Sequence, residues 1–256
     1  MTELHGKVAI VLGASTPGGM GEAIVRRLAR EGATVVVSAR SRERIAVLAA
    51  DVGGSALAAD ITDERQIAAL VAHALNQHGR LDIAVNAVGV TARARIAEMT
   101  PELLLQMAAL HFVGPALFIK HVAEVLPEWA PIVNISSLSV YDTMSNFLAY
   151  SASKAAGDRL IRGAAVEYRH KRLRINGLVP SMVLSHMSRH GSAELGIDVG
   201  NMERDFVRLT PLGRLATPDD IAAMVFAMVR DEYFESGQIV HCSGGNSLMG
   251  HPRYLA

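Results

Sequence analysis

The segment KVAIVLGASTPGGMGEAIVRRLAREG, residues 7–32, decides the fold. Lys7 to Leu12 is an apolar run rich in β-branched residues, the pattern of a parallel strand buried on both faces. A glycine-rich turn follows from Gly13 to Gly21, with Ser15, Gly19 and Met20 inside it. Beyond it Ala23, Ile24, Leu28 and Ala29 recur at helical spacing. Strand, glycine turn and helix in that order make a phosphate-binding start. Glycine lets the backbone approach a ligand, and the helix amino terminus favours an anion.

Outward from this unit the pattern repeats. Ala33 to Ser38 is a second buried strand, and Arg40 and Arg42 stand just past it with no acid between them. In dinucleotide folds an acid at this place binds the ribose hydroxyls, whereas an arginine accommodates a 2′-phosphate. The pair therefore predicts NADP(H) as the preferred cofactor, with NAD(H) the alternative. Ser55 to Ala59 is a short strand leading to Asp60 and Ile61, and Glu64 to His78 a helix. Leu81 to Val85 leads into Asn86-Ala87-Val88-Gly89, small and polar residues suited to a ligand lying over a strand's carboxyl end. Pro101 opens a helix to about Leu126 that contains His111. Further strands are expected at Ile132 to Ile135, Leu173 to Val179 and Gly237 to Val240, and further helices at Tyr150 to His170 and Pro218 to Arg230. Strands alternating with helices, without hairpin signals, predict an α/β fold: a doubly wound, parallel, seven-stranded sheet in a single domain. Residues 181–211 read as an irregular, polar flap over a site, with methionines interleaved.

Reaction chemistry concentrates in IVNISSLSVYDTMSNFLAYSASKAA, residues 132–156. Tyr150 and Lys154 lie four apart, so a helix presents both on one face. An unperturbed tyrosine titrates near ~10, and an adjacent cation is expected to draw it towards working pH. Ser137, at a strand end, is placed to hold a substrate oxygen beside the phenol.

Composition narrows the partners. Lysine plus arginine equals aspartate plus glutamate at 25 each, so no net field points to nucleic acid, membrane or acidic ligands, and a small-molecule substrate is expected. Cys242 is the only cysteine; one thiol makes neither an internal disulfide nor a cysteine-based metal cluster and suits a reducing compartment. The apolar run near the amino terminus is too short for a signal core or membrane span, which sets a cytoplasmic expectation. His186 and His190 share a helical spacing but lack a third ligand, so no metal is predicted. Asp142 and Asp158 read as turn and helix-surface residues.

Taken together the residues resemble the short-chain dehydrogenase/reductases over nearly the whole chain. The matching pieces are the turn from Gly13 to Gly21, Asp60, Asn86 to Gly89, Asn134 to Ser137, Tyr150-Ser-Ala-Ser-Lys154, Asn176, and Pro180 followed by Val183 and Ser185. The resemblance implies a Rossmann fold, a nicotinamide cofactor, and reversible hydride transfer between a carbonyl and a secondary alcohol. It further implies Tyr150 as acid/base, Lys154 as the ribose ligand that lowers the tyrosine's pKa, and Ser137 as the group orienting the carbonyl. By the same resemblance, the two long helices pair into homodimers or homotetramers.

Three departures stand out. Five residues separate Gly13 from Gly19, where the family usually has three. This longer turn is similar to that of enoyl-acyl-carrier-protein reductases. That group, however, places six residues between tyrosine and lysine, against three here, which favours carbonyl chemistry and leaves enoyl reduction the runner-up. His111 stands where an asparagine usually holds a relay water, and is expected to hold that water or carry the proton itself. Ser181 replaces a usual glycine after Pro180. A catalytically silent, cofactor-binding regulatory protein is the reading from another class.

Overall fold

The computed structural model of the chain describes residues 3–142, 145–183 and 199–249. Its strands are β1 (Val8–Leu12), β2 (Thr34–Ser38), β3 (Ser55–Ala56), β4 (Ile83–Asn86), β5 (Pro131–Ile135), β6 (Arg174–Pro180) and β7 (Ile239–Cys242). They form one sheet in the order β3-β2-β1-β4-β5-β6-β7. Every pairing is parallel. The order reverses between β1 and β4, and parallel sheets of this kind hold ligands outside the carboxyl ends at such a switch point.

Alternation along the strands builds two cores. Ala9, Val11, Val35, Val37, Val133 and Ile135 face one side, where α1 (Met20–Arg30), α2 (Arg42–Val52) and a late helix, Pro218–Val229, cover them. Val8, Ile10, Leu12, Val36 and Ile132 face the other, beneath α3 (Glu64–His78), α4 (Pro101–Ala108), α5 (Gly114–Val125) and α6 (Leu148–Glu167). A continuous apolar strand is what two-sided burial requires, and both faces are here occupied.

The ends of the elements follow from local chemistry. Asp63 accepts from the backbone N–H groups of Arg65 and Gln66 at the start of α3, and Gly79 closes it in the left-handed region. α7 is Val199–Arg208, and the late helix becomes α8. At α8 Thr217 and Asp220 form a reciprocal capping box with Pro218 in the first turn. Arg214 grips the Asp220 carboxylate with two hydrogen bonds of 2.6 and 2.8 Å, which holds that carboxyl well below the usual range.

Three expectations are revised. β3 ends at Ala56, although Leu57 and Ala59 still donate to the carbonyls of Val37 and Ala39 beside β2. The helix expected from Pro101 to Leu126 is broken by one π turn, Ala109–Val113, which carries His111. The flap is not irregular throughout: α7 is regular helix, and Met202 and Phe206 pack with Leu215 in a small core of their own. Residues 184–198 of the expected flap, including Ser185, His186 and His190, lie outside the described residues.

Candidate active site

The described residues singled out for cofactor binding gather at the carboxyl ends of the strands. Gly13, Ser15, Gly19, Met20 and Gly21 follow β1, and Arg40 follows β2. Asp60 and Ile61 follow β3, and Asn86, Val88 and Gly89 lie at and beyond the end of β4. Pro180 ends β6, and Val183 bridges to Ala216 just past it. At Gly13 both conformation and space call for glycine. Gly13 has φ +100°, and a Cβ there would lie 2.6 Å from the backbone of Ala87 and Val88. The turn is thus packed directly on the loop that leaves β4.

Not every one of these side chains faces outward. Asn86 donates to Asn134 Oδ1 at 2.7 Å and accepts from the Val88 N–H at 3.1 Å, so its amide clamps β4 to β5. The Ile61 side chain is in the core. Asp60 is occupied by Thr62, whose backbone N–H and hydroxyl donate to Oδ1 at 2.9 and 2.7 Å. These residues shape the cradle more than they reach into it.

Two features of the cradle suit a phosphorylated ligand. α1 begins at Gly19 without a side-chain cap, leaving first-turn N–H groups for an anion. Glu22 accepts from the Gly18 N–H at 2.8 Å and from Arg26 Nε at 2.7 Å. Arg40, Arg42 and Arg44 are exposed and have no ion-pair partner among the described residues. Beside them a cleft of about 490 Å³ runs between the glycine turn and α2, lined by Ser15, Thr16, Pro17 and Arg44.

On the other side of the switch point the groups are buried and interlocked. Ser137 Oγ accepts from the Ser139 hydroxyl at 3.0 Å and the Ser139 N–H at 3.3 Å, which turns its own proton outward. The Ser137 hydroxyl also lies near enough to the Tyr150 phenol to favour its ionised form. The Tyr150 ring is held edge-on by His111, centroids 5.2 Å apart, and by Phe147 at 6.2 Å. Lys154 is 5 % exposed; its Nζ donates to the Ile135 carbonyl at 2.8 Å and reaches the Val88 carbonyl at 3.5 Å. Burial pulls its pKa down to about 8.

The expected effect of Lys154 on the phenol is not seen. Burial pushes the Tyr150 pKa up, and the nearby Ser137 hydroxyl opposes it. The ammonium is spent on backbone carbonyls, so its charge is not directed at the phenol oxygen. The Tyr150 phenol consequently keeps its proton more firmly than a free tyrosine does.

His111 is 2 % exposed. Its Nδ1 lies 2.9 Å from Ser153 Oγ, and that hydroxyl donates to the Tyr150 carbonyl at 2.7 Å. Nδ1 therefore carries the ring proton and donates, leaving Nε2 to accept from the Val90 N–H at 3.4 Å. Burial and the Lys154 charge lower its pKa to about 3. Both nitrogens are engaged and the ring is neutral, which argues against a proton carrier.

Sequence reading missed Asp158. Expected on the helix surface, it is 5 % exposed and accepts from the Tyr141 hydroxyl at 3.0 Å. The signal was its spacing: Tyr150, Lys154 and Asp158 recur every fourth residue on α6.

Sheet order, glycine turn and the Ser137–Tyr150–Lys154 cluster define a dinucleotide-dependent α/β protein. The chain matches the family described as Enoyl-(Acyl carrier protein) reductase over residues 13–247. It is 35% identical over 252 residues to an uncharacterized oxidoreductase of Methylorubrum extorquens, covering 96% of this chain and 99% of that one. A tetrahydroxynaphthalene reductase of Pestalotiopsis fici is 30% identical over 254 residues, 94% of this chain and 91% of the relative. A short-chain dehydrogenase/reductase structure from Mycobacterium ulcerans superposes with a TM-score of 0.88 at 25% identity, covering 98% of this chain and 94% of that chain. The chain belongs to the short-chain dehydrogenase/reductase family, whose members are oxidoreductases that bind a nicotinamide cofactor.

Proposed function

We propose that the protein is an NADPH-linked carbonyl reductase, reversible as a secondary-alcohol dehydrogenase, with Tyr150 as the acid/base. The observation that carries this reading is the gathering of half-buried Ser137 with buried Tyr150 and Lys154 at the carboxyl end of β5. When bound, the reduced nicotinamide supplies the hydride to the carbonyl carbon. The Ser137 hydroxyl, oriented by Ser139, donates to the carbonyl oxygen and meets its developing charge. Tyr150 passes its phenolic proton to that oxygen; a phenol raised by burial suits the donor role. Lys154 would hold the nicotinamide ribose, and Arg40 and Arg42 the adenosine 2′-phosphate. His111 serves as a neutral latch between the Val90 loop and α6.

The separation of Tyr150 and Lys154 by three residues supports carbonyl over enoyl reduction. Intact Ser137, Tyr150 and Lys154 support turnover over a silent binding role. Exposed Leu105, Phe112, Val113 and Val166 on the two long helices support a homodimer or homotetramer. The single thiol supports a cytoplasmic setting.

The test is oxidation of NADPH against a ketone panel and an enoyl thioester panel, with Tyr150→Phe as control. A polycyclic aromatic ketone belongs in the first panel because of the naphthalene reductase relative. Turnover of ketones that Tyr150→Phe abolishes supports the reading. Turnover of enoyl thioesters alone, or cofactor binding with no turnover, overturns it.

A further inference from the structure

One buried charge on α6 has no part in the chemistry above. Tyr150, Lys154 and Asp158 are spaced so that all three side chains lie on the helix face turned inward. Asp158 Oδ2 accepts from Tyr141. Its Oδ1 is buried with no hydrogen-bond partner among the described residues; Ser136 Oγ lies near enough to favour the carboxylate but stops short of a hydrogen bond. A carboxylate persists in such a place only where charges and donors offset its lost hydration. Burial pushes its pKa up, and the groups facing it oppose that shift: Ser136 and Tyr141 from the loop beyond β5, and Lys154 and Arg162, each four residues away on α6. Tyr141 in turn packs against His241 of β7, ring centroids 4.7 Å apart. Around Lys154 stand Tyr150 and the neutral His111, and Asp158 is the acid whose charge acts on it among the described residues.

We propose that Asp158 is a positioning residue for Lys154: its buried carboxylate, held by the Tyr141 hydroxyl, is the fixed counter-charge that keeps the Lys154 ammonium protonated in a desolvated pocket. Lys154 Nζ bonds to the Ile135 carbonyl and not to a carboxylate, so the attraction acts across the helix turn and leaves the ammonium's direction to the strand end. Burial pulls Lys154 towards neutrality and Asp158 pulls the other way. Without the carboxylate, Lys154 would lose its proton within the range where the enzyme works. The catalytic consequence rests on the function proposed above; the electrostatic coupling does not.

The chain has four lysines, Lys7, Lys120, Lys154 and Lys171, so lysine labelled with ¹³C at Cε gives a spectrum simple enough to titrate. Lys154→Arg assigns the signal. Asp158→Asn is expected to lower the Lys154 midpoint by about half a pH unit or more, leaving Lys7 unmoved. Tyr141→Phe, which loosens the carboxylate, is expected to lower it less. An unchanged midpoint in folded Asp158→Asn overturns the proposal; if that variant does not fold, an unchanged midpoint in Tyr141→Phe does so. In the active enzyme the alkaline limb of kcat/KM should move down with the midpoint, and a limb that stays fixed counts against it. A shifted midpoint in a protein that turns over no ketone supports the coupling and sinks only the function proposed above.

Discussion

The two halves of the site are built by different means. On the β1–β2 side the chain offers backbone N–H groups, a glycine turn and exposed guanidinium groups with no ion-pair partner among the described residues. On the β5–α6 side it offers mostly buried side chains held by one another and by the backbone, as Ser137 is by Ser139, His111 by Ser153 and Lys154 by the Ile135 carbonyl. The first half holds its charges ready for a ligand to arrive. The second is preorganised, and little has to move before a proton is transferred. The difference teaches where tolerance should lie: changes among the arginines should alter which ligand binds, whereas changes among the buried groups should alter rate or stability.

That contrast breaks most sharply at Tyr150. Tyr150→Phe keeps the ring contacts with His111 and Phe147 but removes the proton, and kcat should fall by about 10²–10⁴-fold while the melting temperature barely moves. A fall of less than tenfold would end the assignment. Gly13→Ala probes a place where the open half is also tightly packed. The added methyl meets Ala87 and Val88 at a left-handed φ, at a cost of about 3 kcal/mol in urea unfolding.

His111 gives the pH dependence. In the fold its imidazole stays neutral down to about 3, whereas the unfolded ring titrates near ~6.5. Above pH ~6.5 neither state takes the proton, so His111 contributes no slope there. Below it the unfolded state binds a proton the folded state refuses, and stability falls as the pH drops towards 3. At pH 5 the loss should be about 2 kcal/mol relative to pH 7.5. His111→Asn cannot titrate and should lose that much less over the same interval. Parallel losses in both proteins would show that His111 is not buried as a neutral ring.

The smallest effect belongs to the open half. Arg40→Asp should weaken NADPH binding about tenfold and leave NADH binding and thermal stability close to wild type. Equal weakening of both cofactors would remove Arg40 from the 2′-phosphate site.

How much of this was legible in the sequence follows the same division. β1 and β2 could be read because burial on both faces demands continuous apolar runs, as in Val8–Leu12 and Thr34–Ser38, whereas β3 and β7 are only partly buried and were read with other bounds. Ser137, Tyr150 and Lys154 could be placed together because strand end and helix period are local facts. The fate of their charges could not. Whether Lys154 faces the phenol or the Ile135 carbonyl is decided across the β5–α6 packing, and Asn86 turned inward because Asn134 stands opposite it in the register. Asp158 was legible in spacing but overruled by the rule that aspartates lie outside. α7 was hidden by the polar residues flanking Met202 and Phe206.

The π turn at Ala109–Val113 has a consequence for the rest of its helix. Met107 before the turn and Phe118 after it are eleven residues apart, about three turns of α-helix, and both meet the same core. The apolar stripe of α4 therefore runs on into α5, and the widened turn is where His111 enters, joining the Val90 backbone to Ser153.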